Sequence, residues 1–153
     1  MALSANFNFK IGRMDIRAAF LQAKTLDRDV FVRSHKDQEK EGVIWKLLKP
    51  LYGLDDASRK FYLKVRETLK NLNLKTLPED DAMYYQHKDG KLIGMILSHV
   101  DDFTIAGTQE FVNRIVKGIK KKFTISKIEE NNFRFTGLDV KSNDEQIEIS
   151  MED

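Results

Sequence analysis

Apolar and polar residues alternate at the start of the chain, which is typical of a β-strand. The alternation predicts a strand up to about Ile16, in which a slip at Gly12 would reconcile two apolar runs of opposite parity. A tight turn or a short helix is predicted at 17–22. Two further short strands, 29–33 and 42–50, flank a polar stretch that is predicted to be a solvated hairpin loop.

Two later segments carry apolar residues at helical spacing. The first predicts a helix within 53–74, with Asp55 or Asp56 as its N-cap. Its apolar face is formed by Ala57, Phe61, Val65, Leu69 and Leu72. The second predicts a helix over 108–123, which Thr108 caps.

Strand patterns dominate the rest of the chain. After Pro78, two strands are predicted on either side of an Asp-Gly turn at 88–90, and a further strand follows at 102–107. The segments 132–141 and 146–151 are predicted to pair as a closing hairpin. This order of elements predicts an α+β domain of two layers, in which helices cover one face of an antiparallel sheet.

The composition narrows the class of protein. A chain of 153 residues, 41% of them hydrophobic, suits one domain over 1–153. The net charge of +2 does not by itself indicate a nucleic-acid partner. A lysine cluster at 117–122 would suit phosphate contacts or the C-terminal end of the helix dipole, and the second explanation is favoured.

The residues that the chain lacks also carry information. Cysteine is absent, which excludes a disulfide framework and a cysteine-based zinc site and agrees with an intracellular protein. No apolar run approaches the ~18 residues that a membrane-spanning helix needs, so no contact with a membrane is expected.

Two adjacent carboxylates, Asp101 and Asp102, interrupt the apolar stretch 96–107. Neighbouring residues of a strand point to opposite faces, so a tight turn at 100–102 would be needed to present both. Carboxylates this close repel each other unless a cation neutralises them, and Mg²⁺ takes such oxygens readily. Asp15, at the end of another apolar strand, is the candidate for a third ligand. From spacing alone, a solvated turn or a helix cap is the commoner explanation of such a pair.

Four stretches favour the metal interpretation. They are "MDIRAAFLQAK", "WKLLKPLYGLDDASRKFYLKV", "SHVDDFTIAG" and "FRFTGLDV". In this order and spacing they resemble the reverse transcriptase of copia-type (Ty1/copia) LTR retrotransposons, from about Met14 onward. The resemblance implies a polymerase palm with a ferredoxin-like core. It also implies an RNA-directed DNA polymerase that adds deoxynucleotides to a primer 3′-hydroxyl.

The resemblance assigns roles to individual residues. Asp15, Asp101 and Asp102 would be the catalytic carboxylates and would hold two Mg²⁺ ions, or Mn²⁺ in their place. The backbone carbonyl of Ile16 would be a further metal ligand.

Three more residues match positions that face the substrate in this family. Phe20 falls where an aromatic residue lies under the nucleotide sugar and selects against a 2′-hydroxyl, although plain core packing explains it equally well. Gly53 lies in the loop before the first helix, where the substrate approaches the backbone or where glycine simply makes a turn. His99 stands where tyrosine is commonest and would lie beside the primer terminus.

The resemblance also implies partners and a location. The partners are an RNA or DNA template-primer, deoxynucleoside triphosphates and the rest of the retroelement polyprotein. The location is a cytoplasmic virus-like particle, or the nucleus. Polymerases of this type have a fingers segment before the first motif and a thumb after the last, so the chain is expected to be a palm fragment that lacks both.

Two other hypotheses stay open at this point. The chain would be an inactive, truncated or co-opted remnant of a retroelement, acting as a binding module if at all. It would otherwise be another two-metal palm enzyme, such as a nucleotidyl cyclase, which the "LYGL" motif before the helix argues against.

Overall fold

The computed structural model of the protein describes residues 7, 9–33, 43–143 and 146–151. The predicted hairpin loop at 34–42 lies outside the described residues. The chain divides into two compact units, one formed by Met1–Arg17 with Arg66–Asp153 and the other by Ala18–Val65. Each unit is described by itself below.

Eleven strands and two α-helices make up the described part of the chain, together with one turn of 3₁₀-helix at Ala19–Gln22. The strands are β1 (Lys10–Ile16), β2 (Phe31–Arg33), β3 (Ile44–Lys46), β4 (Lys75–Leu77), β5 (Asp80–Lys88), β6 (Lys91–His99), β7 (Asp102–Gly107), β8 (Ile125–Glu130), β9 (Asn132–Phe135), β10 (Leu138–Ser142) and β11 (Ile147–Ser150). The helices are α1 (Ala57–Asn71) and α2 (Gln109–Lys120). The α+β prediction is therefore confirmed.

A six-stranded sheet forms the centre of the first unit. Its strand order is β4-β5-β6-β7-β1-β8, and every neighbouring pair is antiparallel. The β5–β6 hairpin turns at Asp89 and Gly90, which have φ of 51° and 75°. Positive φ at both positions is what a two-residue hairpin of the commonest type requires, and Asp-Gly is suited to it. The predicted turn at 88–90 is confirmed.

Helix α2 packs on one face of this sheet. Thr108 caps it, since its hydroxyl accepts a hydrogen bond from the Phe111 amide at 3.2 Å. Phe111 is buried, and its ring packs directly on Gly94 of β6 and Gly107 of β7. The contact is so close that a Cβ at either glycine would overlap the ring. Missing side chains on two adjacent strands thus create the space that seats the helix.

The opposite face of the sheet is also partly covered. Strands β9, β10 and β11 form a three-stranded antiparallel sheet. Its Phe133, Phe135 and Val140 join Ile11 and Ala106 in one buried cluster. The sheet is therefore covered by a helix on one face and by this small sheet on the other, whereas the sequence predicted packing on a single face.

The two-sided packing corrects the predicted slip at Gly12. The register of β1 runs through Gly12 without a break against both β7 and β8, and the irregularity lies between Asp15 and Ile16. Ile11 and Met14, of opposite parity, are both buried because both faces of the strand are covered. Gly12 instead leaves room for the close backbone of β8, since a Cβ there would meet the Glu129 carbonyl oxygen at 2.9 Å.

The sequence also missed several strands. β4 and β8 were not predicted, and 132–141 forms a complete hairpin, β9–β10, rather than one strand. Its turn has positive φ at Thr136 and Gly137. Of these omissions β8 matters most, because it flanks the strand that carries Asp15.

The second unit contains the β2–β3 hairpin, the 3₁₀ turn and the first part of α1. Phe20, on the 3₁₀ turn, is buried and packs against Tyr52, with ring centroids 4.3 Å apart, and against Phe61. Asp56 directly precedes helix α1, and its carboxylate pairs with Arg28 at 3.1 Å. Both strands and the short helical turn at 17–22 agree with the sequence prediction.

Gly94→Ala is expected to lower the free energy of unfolding by about 1–3 kcal/mol, because the new methyl group would overlap the Phe111 ring. Urea denaturation of the wild-type protein and the variant measures the loss. Shortening the ring should relieve the overlap, so the same change should cost less in a Phe111→Leu background. An equal cost in both backgrounds would contradict this packing.

Candidate catalytic site

Three of the predicted site residues lie at one end of the central sheet. Asp15 of β1 is paired directly with Asp102 of β7, and Asp102 is paired with His99 of β6. On the other side of Asp15, its partner is Lys127 of β8. Directly paired residues of antiparallel strands point to the same face. The four residues therefore form one row across four strands, on the face opposite helix α2.

The turn between β6 and β7 presents the remaining carboxylate. It consists of Val100 and Asp101, because His99 and Asp102 already pair with each other. Val100 has φ of 53°, a left-handed conformation that costs a β-branched residue on the order of 1–2 kcal/mol. The Asp101 carbonyl oxygen accepts a hydrogen bond from the Ile16 amide at 2.7 Å, which ties the turn to the end of β1. The tight turn predicted at 100–102 is confirmed.

Asp15 and Asp102 repel each other in this arrangement, since like charges on directly opposed residues destabilise a sheet. The Ser126 hydroxyl donates a hydrogen bond to the Asp15 carboxylate. Burial raises the pKa of the Asp102 carboxyl above its ordinary value. A neighbouring arginine opposes this rise, and the charges of Asp15 and Asp101 add to it. Keeping the Asp102 carboxylate charged at this position therefore costs free energy.

Arg13 is the arginine that faces Asp102. It precedes Asp15 by two positions on β1 and so points to the same face. Its Nε donates to Asp102 Oδ1 at 2.7 Å and to Oδ2 at 2.9 Å, and its Nη1 donates to Glu129 Oε2 at 3.0 Å. The hydrogen bond to Asp102 raises the pKa of Arg13, and a hydrogen bond from Lys127 lowers the pKa of Glu129. Arg13 thus pairs with Asp102 and Glu129, and Lys127 pairs with Glu129.

The donor chemistry of the three aspartates fits a hard divalent cation, because Mg²⁺ and Mn²⁺ take carboxylate oxygens. The three aspartates also lie at one end of the sheet, as a pair of opposed residues and a third in the adjoining turn. Within the described residues, however, no three Asp, Glu or His side chains converge closely enough to hold an ion as they stand. Arg13 and Ser126 hold two of the three carboxylates instead.

The other predicted site residues are placed as follows. Ile16 ends β1 beside the turn, and its carbonyl as a ligand stays a prediction. Phe20 and Gly53 belong to the second unit. Gly53 is exposed and has a φ of 94°, which favours glycine. The turn by itself therefore explains the glycine. The roles of both residues towards a nucleotide stay predictions, as does the role of His99 at a primer.

Comparison with known proteins gives the family. Residues 1–153 match the family model described as "Reverse transcriptase (RNA-dependent DNA polymerase)". The chain belongs to this reverse transcriptase family. The resemblance drawn from the four motifs is thereby confirmed.

Named relatives of this reverse transcriptase region come from plant transposons. It is 27% identical over 145 residues to the retrovirus-related Pol polyprotein from transposon RE1 of Arabidopsis thaliana. It is 26% identical over 127 residues to the corresponding polyprotein from transposon TNT 1-94 of Nicotiana tabacum. These alignments cover 92% and 80% of the chain but 10% of each polyprotein, so the chain spans about a tenth of the relatives' length. They support a copia-type retrotransposon region.

Sequence reasoning missed four residues of this candidate site: Arg13, Ser126, Lys127 and Glu129. The position of Arg13, two before Asp15 on a predicted strand, would have placed it on the same face. The other three lie on β8, where "ISKIEE" gives only a weak alternation. As for a membrane, none of the helices among the described residues is long and apolar enough to cross one.

Proposed function

We propose that the chain is the palm region of a copia-type reverse transcriptase and carries the carboxylates for metal-dependent nucleotidyl transfer to a primer 3′-hydroxyl. The observation that carries this proposal is the direct pairing of Asp15 with Asp102, with Asp101 in the adjoining turn, in a member of the reverse transcriptase family. Carboxylates from two strands and a turn lie at this end of the sheet, and the opposed pair repels. A repulsive cluster of this kind is stabilised when cations bind it.

The proposal assigns each carboxylate a task. Asp15, Asp102 and Asp101 would hold the cations, and the Ile16 carbonyl would add a backbone oxygen. Cations held by these residues would lower the pKa of the primer hydroxyl and neutralise the triphosphate charge. The protein supplies fixed positions for these oxygens on strands that are hydrogen-bonded to one another.

The substrate and partners follow from the same proposal. His99, which is paired with Asp102, would lie next to the primer terminus. Phe20 selects deoxynucleotides and Gly53 admits the template and nucleotide, as the family resemblance implies. The nucleic acid is an RNA or DNA template-primer, and the remaining contacts come from other parts of a Pol polyprotein, inside a cytoplasmic virus-like particle.

Primer extension tests the proposal. An RNA template annealed to a DNA primer is incubated with deoxynucleotides and Mg²⁺ or Mn²⁺, using the chain alone and the chain within its polyprotein. Extension that requires the cation and is lost in Asp101→Asn supports the proposal. Extension at an unchanged rate in Asp101→Asn would show that the carboxylate assignment is wrong.

A second candidate function is an inactive remnant that acts as a binding module. It is favoured by one observation, namely that Arg13 and Ser126 hold Asp102 and Asp15 in the described structure. In that case the Arg13–Asp102 ion pair and the Ser126–Asp15 hydrogen bond are permanent parts of the fold, and the aspartates bind no cation. Nucleic-acid binding that is unchanged by Mg²⁺ and by Asp101→Asn, without any primer extension, would support it.

A further inference from the structure

The contact between Arg13 and Asp102 is notable for where it lies. Asp102 is only 14% exposed, and both of its carboxylate oxygens accept from a single nitrogen, Arg13 Nε. Asp102 is also the residue paired directly with Asp15. Arg13 therefore already binds both oxygens of a carboxylate that a divalent cation would need.

The charges around this contact show what the arginine does. Asp15, Asp101, Asp102 and Glu129 supply four carboxylates at this end of the sheet, and Lys127 is 65% exposed and bound to Glu129. The exposed lysine is well screened by solvent, so it offsets little of the repulsion. Arg13, with a side chain 23% exposed, is the better shielded cation and makes hydrogen bonds as well.

We propose that Arg13 is the resident counter-cation of Asp102 in the metal-free protein, and that it gives up this carboxylate when a divalent cation binds. The proposal rests on the proposed metal site. Arg13 is a positioning residue here, because it acts through Asp102 and touches no substrate.

The structure contains both parts that such an exchange needs. Glu129 holds Arg13 through Nη1 at 3.0 Å, independently of the Nε contact, so the side chain keeps an anchor when it leaves Asp102. Thr104 lies directly opposite Arg13, two residues beyond Asp102 on the same face. Its buried hydroxyl makes no hydrogen bond among the described residues, so it is the next acceptor for the freed N–H.

This exchange predicts opposite effects of one substitution on two measurements. Arg13→Gln should lower the melting temperature of the metal-free protein, because Asp102 loses its counter-charge while Asp15 remains opposite. It should also tighten Mn²⁺ binding on the order of tenfold, because the cation no longer displaces a charged hydrogen bond or meets a like charge. A residue that merely supported the fold would weaken metal binding when removed.

The experiment uses the full chain with Mn²⁺ as the probe. Mn²⁺ affinity is measured by electron paramagnetic resonance, and the metal-free melting temperature by circular dichroism. Lys127→Gln is the matched control, since it removes an equal charge from the same end of the sheet. Its exposure predicts a change in affinity of less than about twofold. Tighter binding with lower metal-free stability in Arg13→Gln alone supports the proposal. Unchanged or weaker binding in that variant overturns it.

A second measurement needs no folded variant. In the wild-type protein, the Nε–Hε resonance of Arg13 should shift during a Mg²⁺ titration and saturate with the binding curve. A resonance that stays in place while Mg²⁺ binds would overturn the exchange.

The outcomes also separate this inference from the proposed function. If Asp15→Asn abolishes Mn²⁺ binding but Arg13→Gln leaves it unchanged, the metal site stands and the exchange fails. If neither the wild-type protein nor Arg13→Gln binds Mn²⁺ in the millimolar range, both fail.

Discussion

Asp15→Asn is expected to abolish primer extension while leaving the protein at least as stable as the wild type. Asparagine keeps the shape of aspartate and an oxygen that accepts from Ser126, but it removes the charge that faces Asp102. Relief of this repulsion should raise the free energy of unfolding by about 0.5 kcal/mol. If Asp15 holds a cation as proposed, the loss of its carboxylate should reduce the rate of nucleotidyl transfer on the order of 10³-fold or more.

Both quantities are measured for the wild type and for each variant. Primer extension by the chain fused to the flanking parts of a Pol polyprotein gives the rate, and urea denaturation of the chain gives the stability. Asp81→Asn is the control, because Asp81 is an exposed aspartate on β5 of the same sheet. It should change neither quantity. A loss of stability as large as 2 kcal/mol in Asp15→Asn would show that the carboxylate is a structural residue.

A substitution that abolishes activity without lowering stability is expected where a protein keeps a destabilising arrangement because its function requires it. The direct Asp15–Asp102 pair and the left-handed Val100 both cost free energy at the same end of the sheet. Neither improves packing. Their coincidence at the turn that carries Asp101 is what distinguishes this cluster from an ordinary solvated turn.

The sequence predicted the elements whose signals are local. The Asp89–Gly90 turn and the Thr108 cap are each specified within a few residues, and both are confirmed. The pairing of β1 with β7 and β8 has no such signal, because Arg13 meets Asp102 across 89 positions and Glu129 across 116. Only the fold brings these residues together.

The error at Gly12 and the omission of β8 have different causes, since β8 is an edge strand without a buried residue and its sequence alternates only weakly. Both faces of β1 are buried, which removes the clean alternation that identifies a strand with one wet face. The motifs predicted the three aspartates as a candidate metal site, but they did not predict the arginine that pairs with one of them. Arg13 carries no motif of its own and becomes visible only through its hydrogen bonds.

Phe111→Ala should have the largest effect on stability of the substitutions considered for this protein. The ring is buried on α2 against Gly94 and Gly107, and neither glycine has a side chain that could fill the space left behind. The cavity should therefore cost about 3–5 kcal/mol, a large share of the ~5–15 kcal/mol that stabilises a typical domain. Urea denaturation measures this loss, and Asn113→Ala on the exposed side of α2 should cost no more than about 0.5 kcal/mol.

The same substitution links packing to the site. Gly94 and Gly107 lie on the two strands, β6 and β7, whose connecting turn carries Asp101. Removing the ring takes away the support beneath this hairpin, on the face opposite the carboxylates. Stability and Mn²⁺ affinity should therefore fall together in Phe111→Ala, unlike in Arg13→Gln, where they should change in opposite directions. Wild-type Mn²⁺ affinity in a folded but strongly destabilised Phe111→Ala protein would show that the turn holds its geometry without the helix.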